Sequence, residues 1–151
     1  MNKKTIVIKF GGNVVQQAHW IEPLMMAIKS LYDDGYFIVL VHGGGPQADE
    51  MQKKLGIPIK KVNGRRITDK ATLDVIKMIY GGLINTNLVA LAVKLHMPAV
   101  GISGIDAQLA FCTKRKAKSV DFGYVGDIVL INSHILKDLL LKDYVPIVSC
   151  L

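Results

Sequence analysis

Apolar and polar positions along the chain fall into two kinds of segment. Short apolar runs rich in β-branched residues, Thr5-Ile6-Val7-Ile8-Lys9-Phe10 and Phe37-Ile38-Val39-Leu40-Val41-His42, are each closed by glycine and predict buried strands. Longer segments repeat apolar residues at helical spacing. From about Trp20 to Tyr32, Trp20, Leu24, Ile28 and Leu31 share one face, and Pro23 fits the first turn. The segment between Gly12 and this helix reads as polar connection. Pro46 opens a helix over about 46–55, with Gly56 just past its end. Asn63-Gly64 predicts a tight turn in an excursion from Ile57 to Ile67. Thr68 or Asp69 caps a helical region over about 70–95, with a kink or break expected at Gly81-Gly82. Pro98 to Ile102 predicts a third strand. Residues 107–113 and 118–131 predict two more around a basic turn. Asn132 or Ser133 caps a helix to about Leu140, and Val145 to Leu151 begins a strand expected to leave an open sheet edge.

Strands alternating with helices predict an α/β fold, a three-layer αβα sandwich around a mainly parallel sheet. No repeat or linker divides residues 1–151. A chain that stops on an apolar strand without a covering helix reads as C-terminally truncated. Half of the residues are hydrophobic and 21% are charged, a composition for burying a core rather than for disorder. No apolar run near the roughly 20 residues of a bilayer span is read, nor a signal-peptide core, since Lys9 and the glycines interrupt the first strand. The expected location is the cytoplasm, with no membrane partner. Cys112 and Cys150 lack ligand spacing and read as buried small hydrophobes.

Nineteen basic against twelve acidic residues give a net charge of +7, compatible with nucleic acid and with anionic small molecules. The basic residues are scattered, without interleaved aromatics. The 114–118 cluster reads as a solvated face, and no nucleic-acid partner is expected.

The chemistry concentrates at the strand ends. Gly11-Gly12 and Gly43-Gly44-Gly45-Pro46 each join an apolar strand to a helical pattern. Glycine loops let backbone N–H groups approach an anion at a helix start, although Gly11-Gly12 also fits a plain turn. Lys9 at the end of the first strand is costly to bury without an anion, unless it reaches solvent. His42 reads as a hydrogen-bonded structural residue, and His19, His96 and His134 show no ligand spacing. Arg65 and Arg66 stand directly after the predicted turn, where a guanidinium can hold a carboxylate by two hydrogen bonds or simply face solvent. Asp106 fits either a metal or a turn, and the turn is favoured. No nucleophile–base arrangement stands out. A carboxylate acceptor of a phosphoryl group needs none, because it is already ionised near neutrality; positioning and charge neutralisation suffice.

In sequence order, Val7-Ile8-Lys9-Phe10-Gly11-Gly12-Asn13, Val41-His42-Gly43-Gly44-Gly45-Pro46, Asn63-Gly64-Arg65-Arg66-Ile67-Thr68-Asp69, Gly82-Leu83-Ile84-Asn85, Ala99 to Asp106, Gly123-Tyr124-Val125-Gly126 and Val145-Pro146-Ile147-Val148 resemble the amino acid kinase family. The similarity is greatest to members that phosphorylate N-acetyl-L-glutamate. The resemblance covers nearly the whole chain. It implies ATP, with Mg2+ held through the nucleotide and no metal held by this chain, and transfer to the side-chain carboxylate of N-acetyl-L-glutamate in arginine synthesis. It implies that Lys9 stabilises the transferring phosphoryl group and that Gly11 and Gly12 offer N–H groups to the terminal phosphates. Gly44 and Gly45 would contact the acyl substrate, and Arg66 would clamp its α-carboxylate. Thr86 stands where the family usually has lysine. Family members continue for roughly a hundred further residues that hold the nucleotide base, so the chain reads as the N-terminal, substrate-binding half, inactive by itself. A homodimer is implied through the helix carrying Ile76, Met78, Ile79, Tyr80 and Leu83. No ring is expected, since the extra N-terminal helix of hexameric members does not precede Thr5. A kinase for a related acylated amino acid of aminoadipate type and a non-catalytic binding module remain as alternatives. A nicotinamide dehydrogenase would want G-x-G-x-x-G after the first strand, which Gly11-Gly12-Asn13-Val14 does not supply.

Overall fold

A computed structural model describes residues 3–117 and 119–151. A four-stranded sheet has the order β1-β2-β8-β5, formed by Thr5–Phe10 (β1), Phe37–His42 (β2), Ala99–Ser103 (β5) and Val145–Ser149 (β8). All three pairings are parallel. The last strand lies inside the sheet, paired on both sides. The open edges are β1 and β5, not β8 as its terminal place in the sequence suggested. Five consecutive largely buried residues from Val145 to Ser149 fit such an interior position, where both faces are covered.

One register row passes through Ile8, Leu40, Ile147 and Gly101. On this face Phe10, Ile38, Leu40, Val145 and Ile147 join Ile21, Met25 and Ile28 of α2 (Ala18–Asp33) and Leu88 and Ala92 of α5 (Asn85–Lys94) in one core. Alternate residues Val39 and Pro146 are also buried. They point to the opposite face, where α6 (His134–Leu141) packs on β8 and β2. The expected three layers are therefore present. The buried stripe of α2 is Ile21, Met25 and Ile28. Trp20 is exposed, which moves the apolar face one residue on from the expected set. A short helix, α1 (Gly12–Gln16), occupies the stretch read as polar connection.

Gly45–Lys54 forms α3, with Pro46 in its first turn and Gly56 beyond its end at φ +68°. Lys61–Val62 (β3) and Arg65–Arg66 (β4) pair around Asn63 and Gly64, which have φ of 48° and 75°. Two positive φ values at the turn are what an Asn-Gly hairpin requires. The side chain of Asp69 accepts from the Thr72 N–H and caps α4 (Lys70–Ile76). The helix does not break at Gly81-Gly82. It runs through a π-helical segment, Lys77–Ile84, into α5. From Lys70 to Lys94 it is long and apolar enough, by length and composition, to cross a bilayer, which corrects the sequence reading; here Val75, Ile79, Ile84 and Leu88 are buried in the core.

The basic turn lies between β6 (Ala110–Lys114) and β7 (Gly126–Ile131), an antiparallel pair whose strands are shorter than expected. Position 118 of that turn lies outside the described residues. Asp106 accepts from the N–H and hydroxyl of Ser103, the turn role favoured above. Cys112 and Cys150 are free thiols and both exposed, contrary to the buried role expected of them.

Asn85 ties the sheet to its helical layer. Its side-chain nitrogen lies 2.9 Å from the Ile147 carbonyl oxygen and 3.1 Å from His42 Nε2. The amide fits because Gly101 beneath it has no side chain: a Cβ there would collide with Asn85 Oδ1. We predict that Asn85→Ala lowers folding stability by about 2–4 kcal/mol, because two buried acceptors lose their donor. Urea denaturation checks this, and a change within error would contradict it.

Candidate functional site

In an open parallel sheet, ligands bind beyond the carboxyl ends of the strands. Here that end is the row Phe10, His42, Ser149 and Ser103. The loops after β1 and β2 meet above it. Gly43 N–H donates to the Phe10 carbonyl at 3.3 Å. Gly12 is packed so closely on the second loop that a Cβ would lie 2.7 Å from Pro46 Cδ and 3.0 Å from Gly44 Cα. Gln47 Nε2 donates to the Gly12 carbonyl at 2.9 Å. The glycine at 12 is thus required by close approach, whereas nothing lies within 4 Å of where a Cβ of Gly11 or Gly43 would stand. Those two positions leave backbone open to an incoming group.

Gly44 is held from its other side by the π-helical segment. A Cβ on Gly44 would collide with Ile84 Cδ1 and lie 2.9 Å from Tyr80 Cδ1. π-Helical geometry within an α-helix often marks functional positions, and here the segment Lys77–Ile84 delivers Tyr80 and Ile84 to the loop. Tyr80 was read as part of an apolar dimer surface; its ring instead lies against Gly44. Burial raises its hydroxyl pKa above the ordinary value, while Arg66 and a hydrogen bond with the Gly44 backbone pull the other way. No spacing rule could have found this contact.

Arg66 reaches the same loop from β4. Its side chain is only 13% exposed. Nη2 donates to the Gly45 carbonyl at 3.0 Å and lies 2.7 Å from Asp49 Oδ1, and Nη1 donates to Gln52 Oε1. Residues 45, 49 and 52 share one face of α3, so a single helix face orients the guanidinium. Lys61 Nζ, from the other hairpin strand, takes Asp49 Oδ2 at 2.5 Å. Gln52 passes the network to Thr72 Oγ1 at 3.1 Å. Asp49, Gln52 and Tyr80 are the members that sequence reasoning missed. The i, i+4, i+7 spacing from Gly45 was a signal for the first two, without a partner in the sequence to give it meaning.

The structure thus brings Gly12, Gly44, Gly45 and Arg66 together. Lys9 stands apart from them. It alternates with the inward Ile8 and Phe10, so its exposed side chain leaves β1 on the opposite face. There its charge acts on the thiol of Cys150, an exposed residue whose sulfur is partly desolvated by its neighbours, which raises its pKa in spite of Lys9. No acidic partner of Lys9 occurs among the described residues. Arg65 points elsewhere, its guanidinium 4.6 Å from the centre of the Phe122 ring. A cleft of about 870 Å³ lined by Arg65, Lys114, Arg115 and Lys116 includes none of the glycine-loop residues.

His42 is fully buried beneath the loop. Its Nδ1 faces the Gly43 carbonyl at 3.1 Å and its Nε2 faces the Asn85 amide. These partners suit a neutral ring with its proton on Nδ1. Burial depresses its pKa, opposed by the Gly43 hydrogen bond.

Comparison with known proteins gives a consistent kinship. Residues 4–151 match the Amino acid kinase family. An acetylglutamate kinase of Bacteroides fragilis is 42% identical over 149 residues, covering 99% of this chain and 56% of that protein. One of Geobacillus kaustophilus is 40% identical over 150 residues, covering 97% and 55%. Among solved structures, smu.665 of Streptococcus mutans superposes with a TM-score of 0.83 at 27% identity, covering 96% of this chain and 58% of that one. The N-acetylglutamate synthase of Neisseria gonorrhoeae, at a TM-score of 0.78 and 19% identity, covers 97% and 33% and shares the fold. The chain spans about half the length of the curated relatives it matches.

The buried neutral ring of His42 makes stability pH-dependent. A depressed folded-state pKa contributes stability above the unfolded value of about 6.5, and this is lost as pH falls through and below that value. Melting temperatures between pH 8 and 5 should therefore fall less steeply in His42→Gln than in the unaltered chain. Parallel slopes would contradict a buried neutral histidine.

Proposed function

The chain belongs to the amino acid kinase family, and from that premise we propose that it is the acyl-amino-acid-binding half of a kinase. In this reading the complete enzyme transfers the terminal phosphoryl group of ATP to the side-chain carboxylate of N-acetyl-L-glutamate, a step of arginine synthesis. The observation that carries it is the contact of Gly12 with Gly44 and Pro46, which fuses the two glycine loops into one surface with Arg66 at its rim. The identity to acetylglutamate kinases supports this substrate over a related acylated amino acid.

Each residue then has a chemical task. Arg66, oriented by Gly45, Asp49 and Gln52, offers a directed cation to the substrate's α-carboxylate. Gly44 and Gly45 bring backbone against the acyl substrate beside its reacting carboxylate. Gly11 and Gly12 serve the terminal phosphates through backbone N–H groups, and the open space at Gly11 fits an approach of that kind. Lys9, without an acidic partner among the described residues, fits an anion and would neutralise charge on the transferring group. Bound ATP supplies the phosphoryl group, and Mg2+ enters through its phosphates. The carboxylate acceptor is ionised without help from a base, so these residues bind, orient and neutralise. The nucleotide base is assigned to residues outside this chain, and the chain alone is expected to lack turnover. The setting is the cytoplasm. Exposed Met78 and Leu83 on the π-helical segment are the surface through which we propose a homodimer.

Two measurements test the reading. In a full-length enzyme containing this half, Lys9→Ala should lower kcat by about a hundredfold or more with little change in substrate KM, since removing a charge-stabilising contact costs about 3–4 kcal/mol of barrier. Hydroxylamine trapping of the acyl phosphate reads kcat, and an unchanged value would contradict the role. Calorimetric titration of the chain itself with N-acetyl-L-glutamate should show binding that Arg66→Lys weakens about tenfold, because lysine lacks the planar fork. Equal affinities would leave Arg66 a structural residue of the hairpin.

A further inference from the structure

We propose that the Tyr80 hydroxyl is a second receptor for the substrate's α-carboxylate, acting beside Arg66 and selecting ligands that carry that group. The inference rests on the reading above and adds a contact to it.

Tyr80 comes to the site because the helix winds as a π-helix between Lys77 and Ile84. Its ring takes the space that a side chain at position 44 would need, with a Gly44 Cβ lying 2.9 and 3.0 Å from Cδ1 and Cε1. The hydroxyl is thereby carried to Gly45. A Cβ built on Gly45 would stand 4.0 Å from the Tyr80 hydroxyl and 4.0 Å from Arg66 Nη2. Two polar groups from elements more than ten residues apart in sequence thus flank one bare stretch of backbone. That stretch belongs to the loop assigned to the acyl substrate.

The hydroxyl is set to donate. The Gly44 backbone acts on its oxygen in the direction that favours phenolate, less strongly than burial opposes it. The phenolic proton then needs an acceptor, and no such acceptor occurs among the described residues. A phenol is protonated at neutral pH, and burial moves its pKa further in that direction. Arg66 alone is a compromised receptor. Its charge is shared with Asp49 at 2.7 Å, Nη2 also serves the Gly45 carbonyl, and Nη1 serves Gln52. A planar carboxylate has two oxygens and room for donors on both. A neutral hydroxyl next to the guanidinium adds direction to the cation's attraction, and it rewards a ligand for having an α-carboxylate.

Calorimetry on this chain compares N-acetyl-L-glutamate with 4-acetamidobutanoate, which is the same molecule without the α-carboxylate. Tyr80→Phe keeps the ring against Gly44 and removes only the hydroxyl. The expected result is about tenfold weaker binding of N-acetyl-L-glutamate, the scale of one hydrogen bond to a charged group. Binding of 4-acetamidobutanoate should be unchanged. Unchanged affinity for N-acetyl-L-glutamate would overturn the inference. So would an equal loss for both ligands, which is the signature of disturbed packing. If Arg66→Lys weakens N-acetyl-L-glutamate while Tyr80→Phe does not, only this inference falls. If the unaltered chain binds neither ligand, the reading of the site falls with it.

Discussion

Close approach of backbone to backbone at Gly44 is the constraint on which the site depends. Three elements meet there: the loop after β1 at Gly12, the loop after β2, and the π-helical segment with Tyr80 and Ile84. Each contact is shorter than a side chain would allow. An added methyl at 12 or 44 pushes against a proline ring, backbone or a core isoleucine, and interiors packed to crystal density give way poorly. Gly12 and Gly44 are needed for room rather than for dihedral freedom. Gly44 has an extended φ of −169°, which any residue can adopt.

That junction is braced from below. His42 ends β2, Ser149 lies beside it on β8, and Asn85 spans both strands through His42 Nε2 and the Ile147 carbonyl. The bracing places the start of α5 against the strand ends, and α5 continues directly from the π-helical turn that presents Tyr80. From the other side α3 holds Arg66 through Gly45, Asp49 and Gln52. The guanidinium is therefore oriented by the helix that the glycine loop begins. Core, hairpin and loop form one connected arrangement, as preorganised binding sites require.

Much of this was legible in the sequence, because the deciding signals were local. Glycine-bounded apolar runs marked β1 and β2, Asn63-Gly64 marked the hairpin, and Asp69 marked the cap of α4. Gly12, Gly44, Gly45 and Arg66 were singled out, and they do come together. What failed depended on distance. The interior place of β8 follows from pairing with β2 and β5, which lie far from it in sequence. The exposure of Cys112 and Cys150 depends on neighbours in space rather than on hydrophobicity. Gly81-Gly82 suggested a kink or break because glycine is a poor helix former; the helix continues unbroken there but departs from α geometry into π-helical winding. Tyr80 and Asp49 carried no sequence mark of the roles that their surroundings give them.

The two glycine loops and the β4 arginine are proposed here as a single ligand surface. Backbone amide NMR of the chain during titration with N-acetyl-L-glutamate tests it most directly. Saturable shifts should concentrate at Gly43 to Asp49, Gly12, Arg66 and Tyr80, with little change across β6, β7 and their turn. Shifts gathered instead around Lys114, Arg115 and Phe122, with the glycine loops unmoved, would contradict it.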